Sequence, residues 1–190
     1  MKPEFTIRVP PVWFEFDVWR ATRTGDLARL VDGRIAGDAR LAKFRGPLLK
    51  ALREAAEQAE RQGAVMCAAM TQPQDEAVLT AMLMVFHTEG AADNSVEAIA
   101  SQITASERRT VAVVEIPAGP AVRVRGVEAV RLGERTVDCV SMQTLLPAPG
   151  GGVVSIALTS PQTELTESWL DLFDAISSTF AWAGQVSTTR

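Results

Sequence analysis

His87 is the only histidine in this chain of 190 residues. It closes the apolar run "AVLTAMLMVF", with Glu89 and Asp93 just beyond it. An imidazole beside carboxylates could serve as a general base or a metal ligand. A typical zinc site, however, draws on several His, Cys or carboxylate ligands. The two cysteines, Cys67 and Cys139, fall inside apolar, strand-like runs without metal-ligand spacing. The expectation is a hydrogen-bonded or solvated histidine, two reduced core thiols, no metal and no cofactor. Nucleophilic catalysis also lacks its parts. "GGGVVS" and "TSP" supply serines, but there is no Gly-x-Ser-x-Gly elbow and no base beside them in the pattern. "GPAVRVRG" and "PAPGGG" read as turns, since neither has the Lys-Ser/Thr ending and following helix of a phosphate loop. Asp171 and Asp174 stand one helical turn apart, and paired carboxylates do acid–base work only in a cleft that separates their pKa values. Their pattern places them on a solvated face, so no catalytic residue is expected.

Binding chemistry has better candidates. Arg123, Arg125 and Arg131 are all odd-numbered within one strand-like stretch, so they share a face of that strand if no bulge intervenes. Arg108, Arg109 and Arg135 sit at neighbouring strand ends. Such a stripe could receive an acidic protein or a phosphate, or it could be a solvated face with ion pairs. Trp13, Trp19, Trp169 and Trp182 lie near the two ends of the chain. They form one aromatic patch if the ends meet, an interface-like feature, or they pack the terminal elements. The candidate partner-contact residues are therefore Arg123, Arg125, Arg131, Trp13 and Trp19. Met66, Met70, Met82, Met84 and Met142 fall in strand regions, where methionine commonly fills core gaps.

These residues need elements to position them. "FTIRVPPVWFEFDVW" reads as two short extended pieces around Pro10-Pro11. Residues 24–36 have helical spacing at Leu27, Leu30 and Val31 but are crowded by glycines, which leaves a short helix or an ordered loop. A longer helix is expected over 38–62, with Asp38 as N-cap and a stripe of Leu41, Phe44, Leu48, Leu52, Ala56 and Ala59. Gly46-Pro47 either kinks it or marks where its regular part begins. "AVMCAAM" and "AVLTAMLMVF" are continuous apolar runs, and a helix follows at 95–106 with Ser95 as its cap. From 110 to 159 the chain reads as a four-strand meander whose short links permit antiparallel hairpins. The last helix, 163–180, is capped by Thr163, with Leu165, Trp169, Leu172, Phe173, Ile176 and Phe180 on one stripe. Glu167, Ser168, Asp171, Asp174 and Ser178 take the opposite, solvated face. That face has no lysine or arginine, which suits the lid of a core better than a membrane-surface helix. Strands at 64–70, 78–86 and 153–158 do not alternate cleanly, so both their faces should be covered. The expected fold is α+β, a largely antiparallel sheet sandwiched between helices in one domain of residues 1–190.

Several partner classes are disfavoured by bulk properties. A net charge of −4 argues against general affinity for nucleic acid or anionic membrane. The arginine stretch also lacks the interleaved aromatics that stack single-stranded bases. No apolar run approaches the ~20 residues of a membrane span. The opening "MKPEFTIRVPPVWFEFDVW" has no basic segment followed by an apolar stretch, so a signal peptide is not expected. These features point to the cytoplasm.

Three stretches carry a family resemblance: "GVEAVRL" (126–132), "VSMQTLLPAPGG" (140–151) and "VVSIALTSPQTELTESWLDLFDAISSTFAW" (153–182). With "FTIRVPPVW" at the start, the chain resembles a MOG1/PsbP-like domain of the bacterial LpqN-like branch, without that branch's lipoprotein signal. The resemblance implies an α/β/α sandwich and carries packing signatures rather than active-site motifs. The expected function is a non-enzymatic cytoplasmic protein-binding module: a chaperone, an adaptor or an assembly factor, including a secretion-associated one. The alternative is a small-ligand binder with a pocket between sheet and helices lined by methionines and Phe86. A homodimer through an exposed sheet edge is also open.

Overall fold

The structure, a computed structural model, describes residues 4–20, 23–37, 39–74, 77–90, 94–132 and 135–183. Among these residues nine strands follow in chain order: β1 Phe5–Thr6, β2 Trp13–Phe16, β3 Ala64–Gln74, β4 Ala77–Thr88, β5 Arg109–Ile116, β6 Gly119–Leu132, β7 Arg135–Pro147, β8 Val153–Ser160 and β9 Ala181–Trp182. The α-helices are α1 Arg23–Gly37, α2 Arg45–Arg61, α3 Val96–Ser101 and α4 Thr166–Ser177. Seven strands form one antiparallel sheet in the order β2-β3-β4-β8-β7-β6-β5, and β1 pairs with β9 in a separate ribbon.

The meander folds as its short links require, each strand of β5 to β8 lying beside the next. It joins the β3–β4 hairpin through β8, with Met82 opposite Thr159 and Phe86 opposite Ser155. One face of the sheet carries Leu83, Val85, Met142, Ile156 and Leu158 against Trp169, Phe173 and Ile176 of α4. The other face carries Cys67 and Ala69 against Leu27 and Val31 of α1 and Leu49, Leu52 and Ala56 of α2. Farther along that second face, α3 sets Val96 and Ile99 on Val122. The architecture is thus an antiparallel sheet between helical layers, as the run lengths and short links imply.

β3 is buried on both faces, with Ala68 and Met70 in the cluster that includes α4 and Cys67 and Ala69 in the cluster of α1 and α2. β4 and β8 depart from the expectation of full cover: in β4, Ala81, Leu83 and Val85 are buried while Met82, Met84 and Phe86 are half-buried. The burial of β8 alternates strictly, with Val154, Ile156 and Leu158 buried and the intervening residues half-buried.

Four element boundaries also differ from expectation. Residues 23–37 form a full helix, because burial of Leu27 and Val31 outweighs the cost of about 0.5–1 kcal/mol that each internal glycine brings. The expected 38–62 helix divides into a 3₁₀ segment, Ala39–Phe44, and α2, with Pro47 in the first turn where its missing N–H costs little. Asp38, the expected cap, lies outside the described residues, as does Asp93. α3 ends at Ser101 rather than 106, and Ser95 caps it by accepting the Ala98 N–H at 3.2 Å. The last helix opens with a 3₁₀ turn, Thr163–Leu165, so Thr163 is not its cap. The Thr163 carbonyl instead accepts the Thr166 hydroxyl at 2.6 Å.

The chain ends do meet, with Phe5 opposite Trp182. Phe5 stacks on Phe180, whose ring meets Trp182 edge-on at 5.0 Å between centroids. Arg45 clasps Asp32 through two hydrogen bonds of 2.7 and 3.0 Å, tying α2 to α1 at the surface. That bonding holds the Asp32 carboxyl below its usual range.

Candidate functional site

β6 pairs with β7 in unbroken register from Val122 to Leu132, so Arg123, Arg125 and Arg131 do share one sheet face. Their environments differ. Arg125 and Arg131 are exposed. Arg123 is turned under α4, its side chain only 11% exposed, and its Nη1 donates to Asp174 Oδ1. This corrects the reading of Asp174 as a merely solvated carboxylate, and it removes Arg123 from any stripe that a partner could reach. Helical periodicity placed Asp174 opposite the main apolar stripe, and only the tertiary fold sets it over an arginine.

Nε and Nη2 of that guanidinium are buried without a protein partner among the described residues, as are Thr144 Oγ1 and Ser177 Oγ. Thr144 is the register partner of Arg123, and Ser177 lies one turn beyond Asp174. The buried cation therefore depends on one half-exposed carboxylate. Removing one member of a buried pair costs more than removing both, because the orphaned charge stays desolvated. Asp174→Asn should accordingly lower stability by about 1–3 kcal/mol, below the full buried-pair penalty because Asp174 is half-exposed. Arg123→Met should cost less, and the double variant no more than Arg123→Met alone. Urea denaturation of the three variants checks this ordering. A greater loss for Arg123→Met than for Asp174→Asn would contradict it.

The neighbouring arginines behave as ion-paired surface groups. Arg108 reaches Asp138 at 2.7 Å, and Arg109 lies 3.5 Å from Glu128. The side chain of Arg135 lies outside the described residues.

The tryptophans do not form one patch. Trp13, Trp169 and Trp182 are buried in the core beneath α4 and the terminal ribbon. Trp13 is therefore a packing residue and not a surface contact. Trp19 stands apart and is 56% exposed. Its backbone N–H donates to Asp17 Oδ1 at 2.8 Å, and its indole Nε1–H donates to the Ala64 carbonyl at 2.8 Å. The first bond fixes the backbone and the second the ring, which is left largely in water. Beside it an open cleft of about 430 Å³ is lined by Glu15, Asp17, Val65 and Met66 among others. Its ionisable carboxylates belong to Glu15 and Asp17, so its charge is negative. Cys67, at its base, is buried and free. Burial, with a smaller contribution from Asp17, pushes that thiol up to about 12. Cys139 is likewise raised by burial, then by Glu128 and Asp138, to about 11. Neither thiol is appreciably ionised near neutral pH, so neither is an activated nucleophile.

His87 lies near the end of β4 on the α4 side of the sheet, opposite Val154. Its Nε2 is buried without a partner among the described residues. Gly152 packs close by: a Cβ there would come within 3.2 Å of that nitrogen and 2.2 Å of the Thr88 carbonyl oxygen, so the turn admits only glycine. The same turn is held by Asn94, whose Nδ2 donates to the Gly152 carbonyl at 3.0 Å. Among the described residues, no group of three His, Cys, Asp or Glu side chains is placed to hold a metal ion. No helix there is long and apolar enough to cross a membrane.

A second, smaller cavity of about 180 Å³ lies between α2 and the sheet. Leu48, Leu52, Met82, Val130, Cys139 and Thr159 help to line it. Met70 and Met82 are on its wall, and Phe86 is not among its lining residues.

No protein-family model matches the chain, and no curated protein matches it. Among solved structures, the chain is similar to a crystal structure of LpqN, a protein involved in cell envelope biogenesis of Mycobacterium tuberculosis. The two are 10% identical, the match covers 95% of this chain and 84% of that one, and the TM-score is 0.47, a weak likeness confined to the fold.

Proposed function

We propose that this protein is a non-enzymatic protein-binding module of the MOG1/PsbP-like type, acting in the cytoplasm as a chaperone, adaptor or assembly factor. The observation that carries the reading is Trp19, a large aromatic ring whose indole N–H is bonded to the Ala64 carbonyl, yet 56% exposed beside an open cleft. Tryptophans are enriched among residues that dominate binding energy, and a ring already fixed in place loses little entropy on association. The carboxylates of Glu15 and Asp17 suit a partner segment that sets an apolar side chain between basic ones. The two free, buried thiols agree with a reducing compartment.

Affinity capture from native cells, followed by mass spectrometry, tests this reading. A stoichiometric protein partner is expected with the unaltered chain. Trp19→Ala should reduce its recovery at least tenfold, since hot-spot truncations cost about 2 kcal/mol or more. Thermal stability should change little. No stoichiometric partner, under conditions that preserve known complexes, would overturn it.

A second reading, small-ligand binding, rests on the apolar cavity under α2. At about 180 Å³ it is smaller than the usual ligand site of ~300–1,000 Å³. Native mass measurement of the same purified protein decides it: a retained small-molecule mass favours the ligand reading, and the bare chain mass removes it.

A further inference from the structure

β5 is the last strand of the sheet and pairs with β6 alone, in unbroken register from Arg109↔Gly126 to Ile116↔Gly119. Its sequence, RTVAVVEI, contains no lysine, proline or bulge of the kinds that blunt exposed edges. Val113, at its middle, is 59% exposed, the most exposed of the large apolar side chains among the described residues.

The orientation of its backbone groups can be read from the bonds at its start. Arg109 exchanges two hydrogen bonds of 3.1 Å with Ser106, on the side away from β6, while the Arg108 carbonyl accepts the Val127 N–H of β6 at 3.0 Å. Backbone groups alternate sides along an antiparallel strand. The N–H and C=O groups of Val111, Val113 and Glu115 therefore point outward, where no strand pairs with them among the described residues.

We propose that this edge binds a second copy of the chain, the two β5 strands running antiparallel about a two-fold axis at Val113. The register follows from the outward groups. Val113 lies opposite Val113 of the second copy, and Val111 lies opposite its Glu115. These pairs use all the outward groups of Val111, Val113 and Glu115 from both copies. The Ser106 bridge closes the edge beyond them and ends the pairing there.

Charge supports self-pairing over pairing with an arbitrary strand. Arg109, Val111, Val113 and Glu115 project on one face of the sheet. In this register Glu115 of each copy stands diagonal to Arg109 of the other, within reach of long side chains, and adds a second carboxylate to a guanidinium that lies 3.5 Å from Glu128 of its own chain. Glu115 is exposed, and no ion pair to it occurs within the chain among the described residues. The closed symmetry leaves neither copy with a free β5 edge, so association stops at two. The Trp19 cleft lies at the opposite, β2 end of the sheet, so the dimer is independent of the partner site proposed above.

Sedimentation velocity across micromolar to millimolar protein tests the pairing. The mass should rise with concentration from 20.5 kDa to twice that value and no further. Val113→Lys should remain at the monomer mass over the same range, and Glu115→Lys, which sets like charges beside Arg109, should weaken association at least tenfold. Trp19→Ala should dimerise as the unaltered chain does. Circular dichroism establishes that each variant is folded, and Glu115→Lys, at an exposed position, serves if Val113→Lys is not. Amide exchange supplies the register: Val111, Val113 and Glu115 should slow on dimerisation, while Ala112 and Val114, which face β6, should be slow in both states. A chain that stays monomeric throughout, or a dimer that folded Glu115→Lys leaves undiminished, overturns the proposal.

Discussion

Phe173→Ala should be among the most damaging single substitutions in this chain. Phe173 is fully buried at the centre of α4, with its ring 5.6 Å from that of Trp169, and the helix packs on β6, β7 and β8. Truncation removes the transfer free energy of the ring and leaves a cavity that flanking aromatic and branched residues cannot close. Such changes cost about 3–5 kcal/mol, against a total stability of roughly 5–15 kcal/mol. The midpoint of thermal unfolding should fall by on the order of 10 °C. Phe173→Leu, which keeps most of the volume, should cost about 1.5 kcal/mol or less. Calorimetry and urea titration of both variants provide the measurement. A loss below about 1 kcal/mol for the alanine variant would mean that α4 is not the core lid described above.

The second large effect is expected at Gly126. This residue sits within β6 at φ +150°, and a Cβ built on it would lie 2.0 Å from the Arg108 carbonyl oxygen. That oxygen accepts the neighbouring Val127 N–H at 3.0 Å, so it cannot withdraw without breaking the bond that anchors the start of β5. Gly126→Ala must strain its own backbone and displace another backbone at once. A loss of about 2–4 kcal/mol is expected, with increased amide exchange concentrated at residues 108–112. Gly33 is the informative control. It lies inside α1 with nothing within 4 Å of a built Cβ. Gly33→Ala should therefore raise stability by about 0.5–1 kcal/mol. Two glycine-to-alanine changes of opposite sign would separate the close-approach requirement from the general effect of losing glycine. Equal and small effects at both positions would refute the argument for Gly126.

Much of the fold was legible because it is local. The meander needed only four apolar runs and links too short for a parallel crossover. Ser95 was legible as a cap because capping involves residues three apart, and the stripe on α4 because helical spacing repeats within a few residues. α1 was ambiguous because its glycines oppose helix formation locally, while the burial of Leu27 and Val31 that overrules them comes from distant strands. The 3₁₀ segment before α2 and the turn before α4 were likewise hidden, since a helix and a tighter turn share nearly the same apolar spacing.

The candidate surface was less legible. The alternation that put Arg123, Arg125 and Arg131 on one face was correct, but it could not say that α4 would lie across Arg123 and bring Asp174 to it. Four tryptophans near the chain ends carried no mark separating the three that pack the core from Trp19, held outward by the Ala64 carbonyl. The sequence by itself determined the strands of the meander, the inward stripes of its longer helices and an antiparallel α+β fold. Tertiary structure alone decided that β8 joins β4, which arginine is buried, which tryptophan is exposed and which strand forms the open edge. The physical reason is range. Periodicity and turns follow from neighbouring residues, whereas burial, charge compensation and edge exposure depend on what a residue meets after distant segments pack.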